Sequence, residues 1–216
     1  MKHFLIIGLG NFGMGVAKTL FSEGHNITAI DKSKSRVQAI QSFSNQALLA
    51  DATDMQVLNQ LDIRSFDSAV VSTGIDQHAS ILIALHIKEL KCREIIVKAE
   101  DPDHGRILLA VGADRVVFPE EEMAKKLARS LSRPNLLDFI PLGEDYSVAE
   151  IAPPMHFHGK TIASLQLRQK YHIELIAIKD VLEANFKFIP PPDTVFKDTD
   201  VMVVIGKFAD IEKIRE

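Results

Sequence analysis

Three glycines and one acid carry the first chemistry visible in this 216-residue chain. Gly8, Gly10 and Gly13 stand as Gly8-Leu9-Gly10-Asn11-Phe12-Gly13, a GxGxxG, and Asp31 follows about twenty residues on. Each residue type answers a physical need. The first glycine permits a tight turn, the second lets a phosphate approach backbone with no Cβ in the way, and the third lets a helix pack closely on a strand. The free N–H groups opening that helix would face the phosphates, with the positive end of its dipole behind them. Asp31 can accept both hydroxyls of an adenosine ribose and would repel a 2′-phosphate. The spacing by itself is a weak signal, and a glycine-rich turn that binds nothing is its plain alternative. The context decides its weight.

That context is regular. Phe4-Leu5-Ile6-Ile7 is a short apolar run of the kind a buried parallel strand shows, and it leads into the glycines. A helical pattern with Val16, Leu20 and Phe21 apolar runs to Gly24. Ile27-Thr28-Ala29-Ile30 then forms a second strand with Asp31 at its end. Further strands are predicted at 47–50, 68–72, 94–98 and 115–118, alternating with helices at 33–43, 55–61, 77–90, 102–111 and 119–132. This alternation predicts an α/β, Rossmann-like doubly wound parallel sheet of six strands. Ligands in such sheets lie at the carboxyl ends of the strands. Those ends carry the glycine loop, Asp31, Asp51-Ala52-Thr53, Thr73-Gly74-Ile75, Lys98-Ala99-Glu100 and Pro119-Glu120. Asp54 and Ser72 read equally well as a cap and a turn residue.

The rhythm stops near Pro134. Strands at 147–151, 173–179, 186–189 and 200–205, a helix at 162–169 and a short last helix predict a small α+β domain. The expected layout is therefore a nucleotide-binding domain over 1–133, a linker over 134–145 and an α+β domain over 146–216. A domain of about 70 residues is marginal on its own core, so packing against a second copy is expected. The helix from Pro119, with Met123, Leu127 and Leu131 along one side, would serve the same contact.

Bulk composition narrows the classes. With 46% hydrophobic and 25% charged residues the chain can build a core, and its net charge of −4 argues against a nucleic-acid partner. One cysteine, Cys92, excludes an intrachain disulfide and suits a reducing compartment. No cleavable leader and no membrane-length apolar run is read, so a soluble cytoplasmic protein is expected. Cys92 lies between Lys91 and Arg93, which suggests a lowered thiol pKa. His156 and His158 read as a solvated loop, because no second ligand cluster accompanies them.

Taken together, Ile7 to Gly13, Ala29-Ile30-Asp31, Asp51-Ala52-Thr53, Ile96-Val97-Lys98-Ala99 and Gly112-Ala113-Asp114-Arg115-Val116-Val117-Phe118-Pro119-Glu120 resemble the RCK domain of Ktr/Trk potassium-transport regulatory subunits. Gly159-Lys160-Thr161-Ile162 and 198–206 are similar to the small C-terminal domain that follows it in that family. The resemblance implies a non-enzymatic subunit, a homodimer assembling to a homo-octameric ring. That ring would gate a membrane potassium channel or transporter from the inner face of the cell membrane. It implies ATP/ADP as ligand: Gly8, Gly10 and Gly13 facing the phosphates, with Asn11 in the same loop, and Asp31 at the ribose. Asp51, Ala52 and Thr53 would line the adenine, with Thr73 and Gly74 beside the loop and Lys98 neutralising phosphate charge; Phe12, Lys32, Ile75 and Glu100 complete the residues expected at the site. Glu120 would hold a divalent cation, Mg or Ca, between dimer mates, although carboxylates also simply favour a helix start. Arg168, Gln169 and Pro191 would form a second site, for cyclic di-AMP. Arg168 equally suits a helix end.

One departure bears on ligand identity. Members of this family often place an arginine after the second loop glycine to reach a terminal phosphate; Asn11 brings no charge. Lys98 or a partner-chain cation would then compensate, or the site would favour NAD(H). An NAD-dependent oxidoreductase is the competing function. It lacks a Tyr–Lys pair at the spacing such chemistry uses, and its second domain would be small. A redox-sensing repressor would need a basic recognition helix, which the acidic balance disfavours.

Overall fold

The computed structural model describes residues 1–74, 76–132, 136–143, 145–182 and 185–214. The chain divides into two compact units, Met1–Glu122 and Met123–Glu216.

In the first unit β1 (His3–Ile7), α1 (Asn11–Ser22), β2 (Asn26–Asp31), α2 (Lys34–Ile40), β3 (Gln46–Leu49), α3 (Met55–Asn59), β4 (Ser68–Val71), α4 (Gln77–Glu89), β5 (Ile95–Lys98), α5 (Pro102–Val111) and β6 (Arg115–Val117) alternate along the chain. The six strands pair in parallel in the order β3-β2-β1-β4-β5-β6. Alternate residues explain why both faces are covered. Leu5 and Ile7 pack with Val71, Val97, Ile83 and Ile87 on one face. Ile6 packs with Ala17, Ile27, Val37 and Val70 on the other. Burial of such a side chain is worth about 1.5–3 kcal/mol, so a one-residue slip would expose a whole face to water. β1 lies between β2 and β4, where the strand order turns back. Such a reversal opens a crevice at the carboxyl ends.

α6 (Pro119–Ser132) opens with three acids, Glu120, Glu121 and Glu122, in its first turn. From Met123 onward it belongs to the second unit. Met123, Leu127 and Leu131 are all largely exposed in the chain.

The second unit contains β7 (Leu136–Pro141), β8 (Tyr146–Ile151), α7 (Ile162–Leu165), α8 (Leu167–Tyr171), β9 (Ile173–Asp180), β10 (Asn185–Phe188), β11 (Asp200–Lys207) and α9 (Phe208–Ile211). Its sheet is antiparallel, in the order β10-β9-β11-β8-β7, so β10 and β7 are the edge strands. The architecture is the expected Rossmann-like sheet followed by a small α+β domain. Three local expectations fail. The stretch read as a linker over 134–145 carries β7, which pairs antiparallel with β8. The helix expected at 162–169 is broken into α7 and α8, because Gln166 adopts a left-handed conformation (φ +49°). The segment 156–158 is more than a solvated loop, since Phe157 is wholly buried against Tyr171 and Phe196. Among the described residues, no helix is long and apolar enough to cross a membrane.

Candidate functional site

The three loop glycines meet three different surroundings. Gly8 has φ +89°, and a Cβ there would lie 2.0 Å from the carbonyl oxygen of Ser72. At Gly13 a Cβ would lie 2.0 Å from the carbonyl oxygen of Gly8. At Gly10 a Cβ would meet nothing within 4 Å. Gly8 and Gly13 are therefore required by the protein itself, whereas Gly10 faces open space where a ligand can come close. Gly10 caps α1 without any side-chain hydrogen bond, and the first turn of α1 holds no acid. Its N-terminal amides and dipole are left for an anion.

Asp31 holds this loop in place. Its Oδ2 accepts the Leu9 N–H at 2.6 Å, and its Oδ1 accepts the Ser33 N–H at 2.7 Å. The side chain is almost wholly buried, with Arg36 Nη1 at 3.6 Å from Oδ2. The Gly8 N–H donates to the Ile30 carbonyl at 2.8 Å and the Ser72 N–H to the Ile7 carbonyl at 2.7 Å. These bonds tie the ends of β1, β2 and β4 into one rim. Each carboxylate oxygen of Asp31 retains a lone pair for a further donor such as a ribose hydroxyl.

Behind the rim is a cavity of about 160 Å³, whose walls include Ile7, Ile30, Ala52 and Ile83 and whose polar lining includes Asp31 and Thr73. Apolar walls with a few convergent polar groups suit a nucleobase and its sugar. A second, open groove of about 460 Å³ runs over the first turns of α1, bordered by Gly10, Asn11, Gly15 and Lys18. Arg36 lines both.

The remaining candidate residues fall into distinct places. Ala52 and Lys32 border the cavity. Asp51 instead pairs with Lys32 at 3.0 Å and accepts both the Thr53 hydroxyl (2.6 Å) and the Thr53 N–H (2.9 Å). Partial burial pushes the Asp51 carboxyl up, but the Thr53 bonds and Lys32 outweigh it and hold its pKa below the ordinary value. Thr53 is thus turned onto Asp51 rather than into the cavity. Phe12, in the first turn of α1, is partly buried against the core, and Gly74 supplies a left-handed turn at φ +71°. Ile75 lies outside the described residues. Lys98, nearly buried, forms a short ion pair with Glu120. That bond holds the Glu120 carboxyl below its usual range. The residue read as a phosphate contact and the residue read as a cation ligand therefore satisfy each other. Glu100 keeps an exposed side chain, while its N–H donates to Nδ1 of the buried His104 at 3.3 Å. Among the described residues, no three of His, Cys, Asp or Glu gather as a metal cluster.

In the second unit, Arg168 on α8 pairs with Glu174 at 2.6 Å, Gln169 donates its N–H to the Gln166 carbonyl, and the Pro191 carbonyl accepts from Thr194. The expectation for Cys92 is reversed. Burial pushes its thiol pKa up, and the flanking charges of Lys91 and Arg93 do not offset it.

Sequence reasoning missed Arg36. A signal was present: α2 begins after Ser33 with Lys34 and Arg36 and no acid in its first turn. Cations there oppose the helix dipole.

Known proteins share this plan. The TrkA-N domain family model matches residues 4–119 and the TrkA-C domain model residues 147–216. The chain is 36% identical over 215 residues to Ktr system potassium uptake protein C of Bacillus subtilis, covering 100% of this chain and 96% of the relative. It is 36% identical over 212 residues to Ktr system potassium uptake protein A of the same organism, covering 98% and 95%. Among solved structures, the GsuK RCK domain superposes with a TM-score of 0.62 at 22% identity, over 98% of this chain and 46% of that one. The GsuK channel bound to NAD gives 0.65 at 21%, over 99% and 39%. This chain thus spans less than half the length of those solved chains, and the likeness to them is one of fold.

Proposed function

We propose a function from one premise: the chain belongs to the TrkA-N/TrkA-C family, as the Ktr potassium uptake proteins do. It is a regulatory subunit of a potassium uptake system, and it senses an adenine nucleotide in the crevice of its first unit. The observation that carries the nucleotide reading is the contrast among the glycines. Two are closed by backbone, and the one facing the helix start is open. Family membership alongside potassium uptake proteins favours sensing over hydride transfer.

ATP or ADP is the first choice of ligand, with the base in the cavity, the ribose on Asp31 and the phosphates on the amides after Gly10. When bound, the nucleotide supplies charge and contacts that differ between states of the assembly, and the chain's own groups hold it. NAD(H) is the second reading, favoured by the neutral Asn11. A homodimer building a homo-octameric ring against a membrane potassium-channel subunit completes the proposal, and it would place the chain in the cytoplasm at the inner membrane face. The exposed Met123, Leu127 and Leu131 support such a contact. Shifting a two-state ring from mostly closed to mostly open takes roughly 5.5 kcal/mol of differential binding, which eight sites would share as under about 1 kcal/mol each.

A divalent cation at Glu120 would have to displace the Lys98 ammonium and recruit ligands from another chain. Cyclic di-AMP at Arg168, Gln169 and Pro191 would likewise have to compete with Glu174 for the guanidinium.

Isothermal titration of the full chain with ATP, ADP and NADH tests the reading. Binding of at least one, weakened by Asp31→Asn, is expected; no heat with any of the three would overturn it. Co-purification with a potassium-transporting membrane protein tests the partner.

A further inference from the structure

Arg36 is common to the cavity behind the rim and the groove over α1, so a ligand that reaches from one to the other passes its guanidinium. In the free chain the ion pair of that guanidinium among the described residues is a long one, 3.6 Å from Asp31 Oδ2, with 55% of its side chain exposed. The oxygen it faces already accepts the short bond from the Leu9 N–H. Arg36 is therefore weakly held and easily exchanged to a better acceptor. It lies in the first turn of α2 beside Lys34, where no acid of the helix itself faces it, and Asp31 is its ion-pair partner among the described residues. The groove along α1 has Lys18 and Arg36 on its border, and no acid lines it. The Lys18 ammonium rests over the Phe43 ring at 4.8 Å, whereas Arg36 alone among the described residues borders both the groove and the cavity.

We propose that Arg36 is the specificity-determining residue of the crevice. In the free chain it is parked against Asp31. A phosphomonoester entering the α1 groove draws it off, so that the site selects ATP or ADP over phosphodiester dinucleotides such as NAD. This rests on reading the crevice as an adenine-nucleotide site. The selection follows from charge and shape. A terminal phosphate carries close to two negative charges and three acceptor oxygens, which a guanidinium fork meets in pairs. The pyrophosphate of NAD is esterified at both ends, has no such terminus, and lies along the glycine loop alone. Movement of Arg36 also releases Asp31 for the ribose, so both parts of the ligand benefit from one displacement. Arg36 thereby supplies the charge that Asn11 lacks.

The test is a titration of the full-length chain and its Arg36→Gln variant with ATP, ADP and NAD. Loss of a charge-assisted contact predicts about tenfold weaker ATP and ADP binding. NAD should change by less than about twofold, or tighten, because Asp31 loses a competitor. Arg36→Lys should restore part of the loss. Lys18→Gln should weaken ATP less than Arg36→Gln does. An equal loss for ATP and NAD would make Arg36 merely structural, and unchanged ATP affinity would remove its role; either overturns the proposal. Asp31→Asn reports separately on the crevice. If it leaves all three ligands unaffected, the nucleotide site itself is misassigned and this inference falls with it. If it weakens them while Arg36→Gln does not discriminate, only the present inference fails.

Discussion

The two units solve the same problem of covering a sheet in opposite ways. In Met1–Glu122 the strands run parallel, each is followed by a helix, and polar groups collect at one end of the sheet. In Met123–Glu216 the strands are antiparallel, the helices after α6 are one or two turns long, and left-handed residues at Gln166, His172 and Ile189 mark several of the bends. A parallel sheet concentrates strand ends, and with them glycine turns and helix starts, so it makes a crevice almost by construction. An antiparallel sheet spreads its turns over both ends and makes surface instead. The first unit gathers a crevice at one end of its sheet; the second leaves its sheet edges exposed.

The largest expected effect separates folding from binding within the first unit. Gly13→Val would drive a side chain into the Gly8 carbonyl and should unfold the unit or lower its melting temperature by well over 10 °C, as expected for more than about 4 kcal/mol. Gly10→Ala meets open space and should leave melting within a few degrees, yet weaken nucleotide binding, as titration would show. Were both variants equally stable, the contrast among the glycines would be wrong.

Next in size is the core of the second unit. Phe157 is fully buried, and Phe157→Ala should cost about 3–5 kcal/mol there. Hydrogen exchange should accelerate in β8, β9 and β11, while the amides of β1, β2 and β4 keep their protection and nucleotide affinity is kept. Loss of affinity would show that the units do not act independently.

A smaller gain is expected from relieving backbone strain. Gln166→Gly should stabilise the second unit by about 1 kcal/mol, because glycine adopts φ +49° without penalty. A melting curve that drops instead would mean that the Gln166 side chain matters.

The smallest effect is electrostatic. Asp51 titrates below its ordinary value of 3.8 in the folded chain, so its contribution to stability is present above that value and fades as pH falls through the lower folded pKa. Asp51→Asn should therefore lower stability slightly at neutral pH and make no difference well below pH 3.8. The side chain is nearly half exposed, so screening keeps the effect small, and added salt should reduce it further.

The first unit was legible because each strand–helix step is written locally. Apolar runs, glycines and caps such as Asp54, which accepts the Gln56 N–H at 2.8 Å, act within a few residues. The second unit hid β7, since the pairing of Phe139 with Ala149 depends on a distant register and not on any pattern within 136–141. It also hid the break at Gln166, where a non-glycine residue takes a conformation that sequence reserves for glycine. In the site, Gly8, Gly13 and Asp31 were readable from spacing. Arg36 was not, because its importance lies in which cavities it borders. The Lys98–Glu120 pair was hidden for the same reason: twenty-odd residues of chain separate two side chains that the ends of β5 and β6 bring together.

Edge strand β10 has a consequence for handling the protein. Phe186 and Phe188 stack with ring centroids 5.6 Å apart on an exposed strand, and Ile189 beyond them is 86% exposed. Such an edge is a template for fibrous self-association. Lys187, between them in sequence and so on the opposite face of the strand, has its ammonium 3.2 Å from the Thr194 hydroxyl and breaks the apolar run with a charge. It acts as a gatekeeper against stacking edge to edge. Neutral, β-branched replacements at that position are the ones that should turn a concentrated solution turbid.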